Sequence, residues 1–459
     1  MSLSTLREAL RGSKQDFTEG PVARALVLLA VPMVLETLLE SLFAVVDIFF
    51  VAHLGADAIA TVGITESVES LVYAVSIGLG IAATATVARR TGEKDPAAAS
   101  HAAGQAIVLG VLVAAPMAAA GIAFAPAILG LLGGSPEVQR GGAGFARVLL
   151  GGNVAVLLLF LINAVFRGAG DATIAMRSLW LASACNMVLG PLFIFGVGPF
   201  PRLGVMGAAV GTTMGRSIGV LYQLTQLARR DGRLQVRASD LVPDPAVLMK
   251  LLRLSGAGVL QLLIGTTSWV GLVRVLSVFG STVIAGYTIA LRVVIFAMLP
   301  AWGMSNAAST MVGQSLGAKK PDRAEQAVKL AGLYSMFVLG SIGAVFAFAA
   351  GPILQIFTRD PEILPWGIAC LRLVAVGFPL YGWGMVLTAA INGAGDTWTP
   401  TLLNGFCFWL FEVPLAWALS RHTALQPRGV FLAVTAAFCA LAGLSAWVFR
   451  GGRWKTQVV

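Results

Sequence analysis

Residues 25–52, ALVLLAVPMVLETLLESLFAVVDIFFVA, set an apolar run of 28 positions against three acids, Glu36, Glu40 and Asp47. About 20 apolar residues suffice to cross the hydrocarbon core of a bilayer, so the run predicts a membrane-spanning helix. At about 100° per residue, Glu40 falls about 40° from Glu36 and Asp47 about 20° from it. The three acids therefore share one stripe, spread over about 16 Å of helix. An ionised acid at the bilayer centre costs roughly 2.5 kcal/mol or more. Such a stripe faces a cavity, meets a partner, or holds protons.

Outward from this run the chain repeats the pattern. Of its 459 residues, 57% are hydrophobic and 12% charged, and the mean hydropathy is +0.83. A soluble domain carries about twice that charged fraction, which excludes a soluble enzyme, a disordered chain and a secreted disulfide scaffold. Twelve apolar runs, at 25–52, 58–88, 98–125, 142–166, 174–198, 205–228, 247–279, 281–311, 327–350, 366–391, 398–419 and 428–449, predict twelve spans. The first twenty residues are polar and of mixed charge, without the apolar core of a signal peptide. The four cysteines, Cys185, Cys370, Cys407 and Cys439, lie in apolar runs as buried thiols and not as a disulfide framework.

Twelve spans put both termini on one side. That side receives 22 of the 32 Lys and Arg, the other side 7, and Arg216, Arg274 and Arg292 fall inside spans. The positive-inside rule makes the richer side cytoplasmic, so both termini are expected there, in a multi-pass inner (plasma) membrane protein. The net charge of +10 is then topology signal and headgroup contact, and no nucleic-acid partner is expected. Residues 1–24 form an N-terminal cytoplasmic segment, 25–228 a first six-helix half and 229–246 a cytoplasmic linker. Residues 247–449 form the second half and 450–459 a tail.

The halves are copies. Sliding the chain by 225 residues lays Gly55 on Gly280, Gly92 on Gly317, Pro96 on Pro321, and Gly168-Ala169-Gly170-Asp171 on Gly393-Ala394-Gly395-Asp396. The offset crosses an even number of spans, so the repeat is parallel, about an axis along the membrane normal. The fold class is thus an all-α polytopic membrane protein: twelve transmembrane helices in two parallel-repeat six-helix bundles around a central cavity. Transporters use such halves, with a site between them near the midplane.

Six acids fall inside spans: Glu36, Glu40, Asp47, Glu66, Glu69 and Glu412. Glu66 and Glu69 share a face of the second helix, with Tyr73 one turn further. Clustered carboxylates carry protons, hold a monovalent cation or attract cationic substrates; the alternative is that some pair with Arg216, Arg274 or Arg292. Asp171 and Asp396 end Gly-rich turns as helix caps, and His53 is an interfacial residue. Glycines 207, 211, 215 and 219 form a close-packing face. Within it, Gly215-Arg216-Ser217-Ile218-Gly219 matches G-x-S-x-G, but a hydrolase elbow needs a preceding strand, and here the helix is continuous. No Walker A, H-E-x-x-H or paired-Cys metal motif occurs. No metal or cofactor is expected beyond a coupling ion, H+ or Na+, and no enzyme activity.

Several segments resemble the multidrug and toxic compound extrusion (MATE) transporters. They are VPMVLETLLESLFAVVDIFFVAHLG (31–55), FRGAGDA (166–172), FPRLGVMGAAVGT (200–212), VGQSLGAKKPDRAEQA (312–327) and INGAGDT (391–397). The resemblance implies antiport of organic cations or amphipathic drugs against protons or sodium, by a monomer in the bilayer. It implies that Asp47 is the family's first-helix coupling acid and Asn186 its partner in the fifth helix, while Gly190 stands where the family carries a second acid. The expected coupling set is Asp47, Glu40, Glu36 and Asn186. Glu66, Glu69, Tyr73 and, by the repeat, Gln261 opposite Glu36 are candidates for the substrate cavity. The alternatives are a flippase for lipid-linked oligosaccharide, whose cavity should be cationic, and a membrane-embedded enzyme such as a prenyl transferase, which needs paired Asp motifs.

Overall fold

A computed structural model describes residues 3–13, 15–229 and 232–457, without the side chains of 42–48, 52 and 56. Arg230 and Asp231 of the linker thus lie outside the described residues. Fifteen α-helices follow one another: α1 (Leu3–Arg11), α2 (Val22–Ala52), α3 (Ala56–Gly92), α4 (Pro96–Leu131), α5 (Pro136–Gly151), α6 (Asn153–Gly168), α7 (Ala172–Phe195), α8 (Val205–Ala228), α9 (Pro245–Leu276), α10 (Ser281–Gly317), α11 (Pro321–Gln355), α12 (Leu364–Gly393), α13 (Trp398–Asn404), α14 (Val413–His422) and α15 (Pro427–Arg450). No strand occurs among the described residues.

Local chemistry sets the starts. Proline opens α4, α5, α9, α11 and α15, where a missing N–H costs nothing. Asp95, Ser135 and Asp244 cap α4, α5 and α9 by accepting amides of the first turn. Eleven spans are long and apolar enough to cross a membrane. The twelfth, α8, covers the expected residues and is packed through its glycines. A methyl group on Gly207, Gly211 or Gly215 would stand 2.5–2.7 Å from the backbone of α7.

Two expected spans are interrupted. The run 142–166 is not one helix but α5 and α6, broken at Gly151-Gly152, where Thr213 of α8 presses so close that a methyl on Gly152 would lie 2.6 Å from it. The run 398–419 passes from α13 to α14 through a π-helical stretch, Gly405–Glu412. Pro414 follows it, and a proline without an N–H shifts the ladder of the turn before it.

The repeat is visible as reciprocal contacts. A methyl on Gly92 would lie 2.0 Å from the Gln314 carbonyl oxygen, and one on Gly317 2.1 Å from that of Arg89; 89 and 314 are themselves 225 apart. Gly78 meets Val259 as Gly303 meets Val34. Contacts of i with j + 225 and of j with i + 225 require a two-fold relation between the halves. The same pairing recurs in backbone strain: Lys94 and Lys319 both hold positive φ, 60° and 57°. The first helix of each half also leans on the other half's core, Leu26 and Leu29 among α10–α12 side chains, and Leu251 among those of α3, α4 and α6.

The two copies of the repeat, α2–α8 and α9–α15, are termed the first and second lobes. Hydrogen bonds between them run from Thr310 Oγ1 to the Arg167 carbonyl (3.2 Å) and from Gln314 Nε2 to that of Gly168 (2.9 Å). Thr37 Oγ1 also meets the Leu299 carbonyl (3.3 Å) at mid-helix. Among the described residues no hydrogen bond between the lobes lies farther from the termini than this last one. On the face bearing the termini, Ser13 and residues 15–20 strap the lobes together. Arg323 of α11 donates to the Phe17, Glu19 and Gly20 carbonyls (2.6–3.0 Å). Arg233 of the linker donates to those of Ser13 and Gln15 (both 2.7 Å) and lies over the buried Phe17 ring.

Candidate functional site

Two polar clusters are buried in the first lobe. At the middle of α2, Glu36 is 3% exposed. Its Oε1 accepts from Arg167 Nη1 (2.7 Å) and Asn163 Nδ2 (2.9 Å), which project from successive turns of α6. The Asn163 carbonyl oxygen in turn accepts from Ser178 Oγ of α7 (2.8 Å) and Gln223 Nε2 of α8 (2.6 Å). Four helices are thus joined through buried side chains, and one unmatched change leaves several groups unsatisfied. Nearer the face opposite the termini, Glu69 of α3 accepts from Arg216 Nη1 of α8 (2.6 Å), and the same guanidinium donates to the Tyr73 hydroxyl.

Between the clusters lies Glu40, one turn beyond Glu36 on α2 and half-buried. It is within electrostatic reach of Glu36, Arg216 and Arg167. It makes no hydrogen bond or ion pair among the described residues. Each guanidinium is already committed to another carboxylate, so Glu40 is the acid here that a mobile cation or proton would serve.

The remaining expected residues distribute as follows. Asp47 is on α2, but its side chain lies outside the described residues. Asn186 is buried on α7, its side-chain oxygen 3.3 Å from Thr212 Oγ1. Beside it Gly190 leaves room: a methyl there would meet only the Asn186 side-chain oxygen, at 3.7 Å. Glu66 is exposed on α3. Glu69 and Tyr73 are drawn inward to Arg216. Gln261 accepts from Asn392 Nδ2 at 3.2 Å. Since 261 and 392 are the 225-offset partners of 36 and 167, this amide pair is the second lobe's version of the Glu36–Arg167 pair. Glu412 is buried at the end of the π-helical stretch. Of the arginines weighed as partners, Arg216 takes that part, while Arg274 and Arg292 make no ion pair among the described residues.

Sequence reasoning missed Arg167, Asn163, Ser178 and Gln223. Arg167 had been counted with the polar turn that follows α6. The available signal was the four-residue spacing of Asn163 and Arg167 in an otherwise apolar helix.

Comparison with known proteins bears on this arrangement. The MatE family model matches residues 32–192 and 259–418, one match in each half. The chain is 26% identical over 462 residues to the probable multidrug resistance protein YoeA of Bacillus subtilis, covering 100% of this chain and 99% of that one. It is 24% identical over 444 residues to the probable multidrug resistance protein NorM of Thermotoga maritima, covering 95% and 94%. A crystal structure of a MATE protein in the bent conformation superimposes with a TM-score of 0.88 at 26% identity, covering 96% of this chain and 97% of that one. With two matched halves, a two-fold bundle and a buried ionic cluster in one lobe, the chain belongs to the MATE family of multidrug efflux transporters.

Proposed function

We propose that the protein is a secondary active antiporter that exports amphipathic organic compounds, cations among them, in exchange for protons. The observation that carries this reading is Glu40. It is a half-buried carboxylate with no fixed partner, set between two Arg–Glu pairs on the helix that crosses from one lobe's core to the other's. With each neighbouring guanidinium bound to another carboxylate, Glu40 is the group that takes up and gives back the exchanged proton. A dehydrated sodium ion wants several oxygen ligands, and the described side chains offer Glu40 no second carboxylate that is not already paired. Asp47 and Asn186 extend the path outward along α2 and α7. Glu36, held by Arg167 and Asn163, anchors the inner end.

In this reading the termini are cytoplasmic, a cleft between the lobes faces outward, and the contacts at Gly92, Gly317 and the strap close the inner side. Alternating access then opens those contacts and closes the cleft. Export driven into proteoliposomes by an imposed pH gradient, and absent under a sodium gradient at constant pH, is the expected result. Sodium-driven export of equal rate would overturn proton coupling.

A further inference from the structure

Two ion pairs are held in the membrane interior: Glu36 with Arg167, Glu69 with Arg216. Arg274 and Arg292 make none among the described residues, and of the two Arg292 lies farther from the end of its helix. It lies eleven residues, about 16 Å, below the outer end of α10, it is exposed, and it makes no hydrogen bond or ion pair among the described residues. A charge there faces water, a partner or, by snorkelling, the headgroups, and not the hydrocarbon.

Its direction follows from the helix. On α10 the residues touching the first lobe include Leu299, Gly303, Thr310, Gln314 and Gly317, with Gly313 against Ala88 beside them. They form one row. Helical spacing puts Arg292 within about 20° of both Leu299 and Gly303, so it continues that row into the outer half, beyond the last hydrogen bond between the lobes. Phe296, 48% exposed, stands between. The two-fold relation gives the same answer. Ser67 stands at the matching position on α3, eleven residues before Gly78 as Arg292 is before Gly303, and Ser67 is also exposed. Beside Ser67 the first lobe carries Glu66; one helix away it carries Glu40. At the positions of Glu66 and Glu69 the second lobe has Leu291 and Val294. At this level the first lobe thus carries acids on α2 and α3, and the second an arginine on α10.

We infer that Arg292 is an anion-binding subsite of the cleft, which docks the carboxylate or phosphate of a zwitterionic amphipathic substrate while its cationic end lies toward Glu40. Phe296 supplies an apolar surface for the body of the molecule. Guanidinium is suited to this part because its planar fork pairs with carboxylate or phosphate through two parallel hydrogen bonds. The inference rests on the export reading for the identity of the ligand as a substrate. The site itself rests on the geometry of α10.

The experiment uses the full-length protein in phosphatidylcholine nanodiscs and two dyes differing in one group, zwitterionic rhodamine B and its ethyl ester, a pure cation. Equilibrium binding is read by fluorescence anisotropy for the wild type, Arg292→Gln and Arg292→Lys. The expected result is a loss of roughly tenfold or more in rhodamine B affinity for Arg292→Gln, with the ester bound at least as well as before. Arg292→Lys should keep part of the rhodamine B affinity, since it retains the charge but loses the fork. Retained ester binding shows that the variant is folded. Equal losses for both dyes, or unchanged rhodamine B binding, would overturn the subsite. A difference that emerges only when the discs contain phosphatidylglycerol would assign Arg292 to a lipid phosphate and overturn the substrate reading. Transport in proteoliposomes is a separate arm: a wild type that binds rhodamine B but does not move it contradicts export and leaves the subsite standing.

Discussion

The two lobes share a backbone plan and differ in what they bury. At the same repeat position the first lobe holds Glu36 against Arg167 at 2.7 Å and the second holds Gln261 against Asn392 at 3.2 Å. Ser178 corresponds to Leu403; α15 follows α8 by 222 residues, with Thr435 against Gly377 as Thr213 is against Gly152, so Gln223 corresponds to Ser445. Arg216 and Glu69 correspond to Phe438 and Val294. The neutral pair shows that the fold needs only a polar tie between the first and fourth spans of each half. The charges of the first lobe go beyond that need, and a buried ion pair is weak evidence of added stability. Their presence in one copy alone argues for a function confined to that lobe.

The largest effect is expected from leaving half of the charged pair in place. Arg167→Met strands the Glu36 carboxylate and should cost roughly 3–5 kcal/mol, read as thermal unfolding of the protein in detergent. The matching change in the second lobe, Asn392→Leu, leaves a neutral amide unsatisfied and should cost roughly 1–3 kcal/mol. The double change Glu36→Gln with Arg167→Asn copies the neutral pair into the first lobe. It should recover most of the lost stability while pH-driven export stays impaired. Full export in that double variant would show that the charges are structural.

Next in size is Glu40→Gln. Its repeat partner is Gly265, so the second lobe folds without an acid at this position. The substitution should leave unfolding within about 1 kcal/mol of the wild type and lower proton-driven export roughly tenfold or more. Gly190→Asp, for which the space beside Asn186 is open, should partly restore it by returning a carboxylate to the first lobe. An unchanged pH profile in Glu40→Gln would place coupling elsewhere on α2.

How much of this was legible beforehand differs between fold and site. Apolar runs and the Lys/Arg bias needed no partner to be seen, so the helices and the 225-residue repeat could be read directly. The glycines of α8 were equally plain, because a four-residue spacing has one structural meaning. The breaks at Gly151-Gly152 and at 405–412 were not legible, since each depends on a neighbour: Thr213 in one case, the missing amide of Pro414 in the other. The acids were identified but their partners were not. Glu36 finds Arg167 across 131 residues of sequence, and nothing local to either residue announces that pairing.

A smaller effect is expected at the strap, whose repeat counterpart at 238–245 is held on α4 by Gln105, which donates to the Asp240 and Val242 carbonyls (2.8 and 2.7 Å). Arg323→Ala removes the donors to the Phe17, Glu19 and Gly20 carbonyls. Such bonds are partly exposed, so the loss should be about 1–2 kcal/mol, roughly a tenfold shift toward states open on the face bearing the termini. Labelling of a cysteine introduced at Thr310, buried in the seam between the lobes, should accelerate accordingly. Unchanged labelling would show that the glycine contacts at positions 92 and 317 suffice to hold that face closed.

The smallest effect concerns the ion pairs at the strap's edge, where Lys94 Nζ meets Asp16 (3.3 Å) and Glu19 (3.5 Å). Lys94→Ala should change the labelling rate at position 310 by less than about 0.5 kcal/mol, because exposed pairs are screened and entropically costly. Asp16 is a different matter from its lysine. Burial raises its pKa, but the Thr18 hydroxyl and amide, with Lys94, outweigh that and hold it below the ordinary 3.8. A carboxylate whose folded pKa is depressed adds stability above its unfolded value and loses it as pH falls through the folded one. The contribution of Asp16 is therefore complete at neutral pH and disappears only below about pH 3.8. Proton coupling near neutrality should then leave the strap untouched: labelling at position 310 should be flat from pH 6 to 8 in Glu40→Gln. If labelling in that variant instead rises steadily across this range, the strap or the seam senses protons independently of the first lobe's acids.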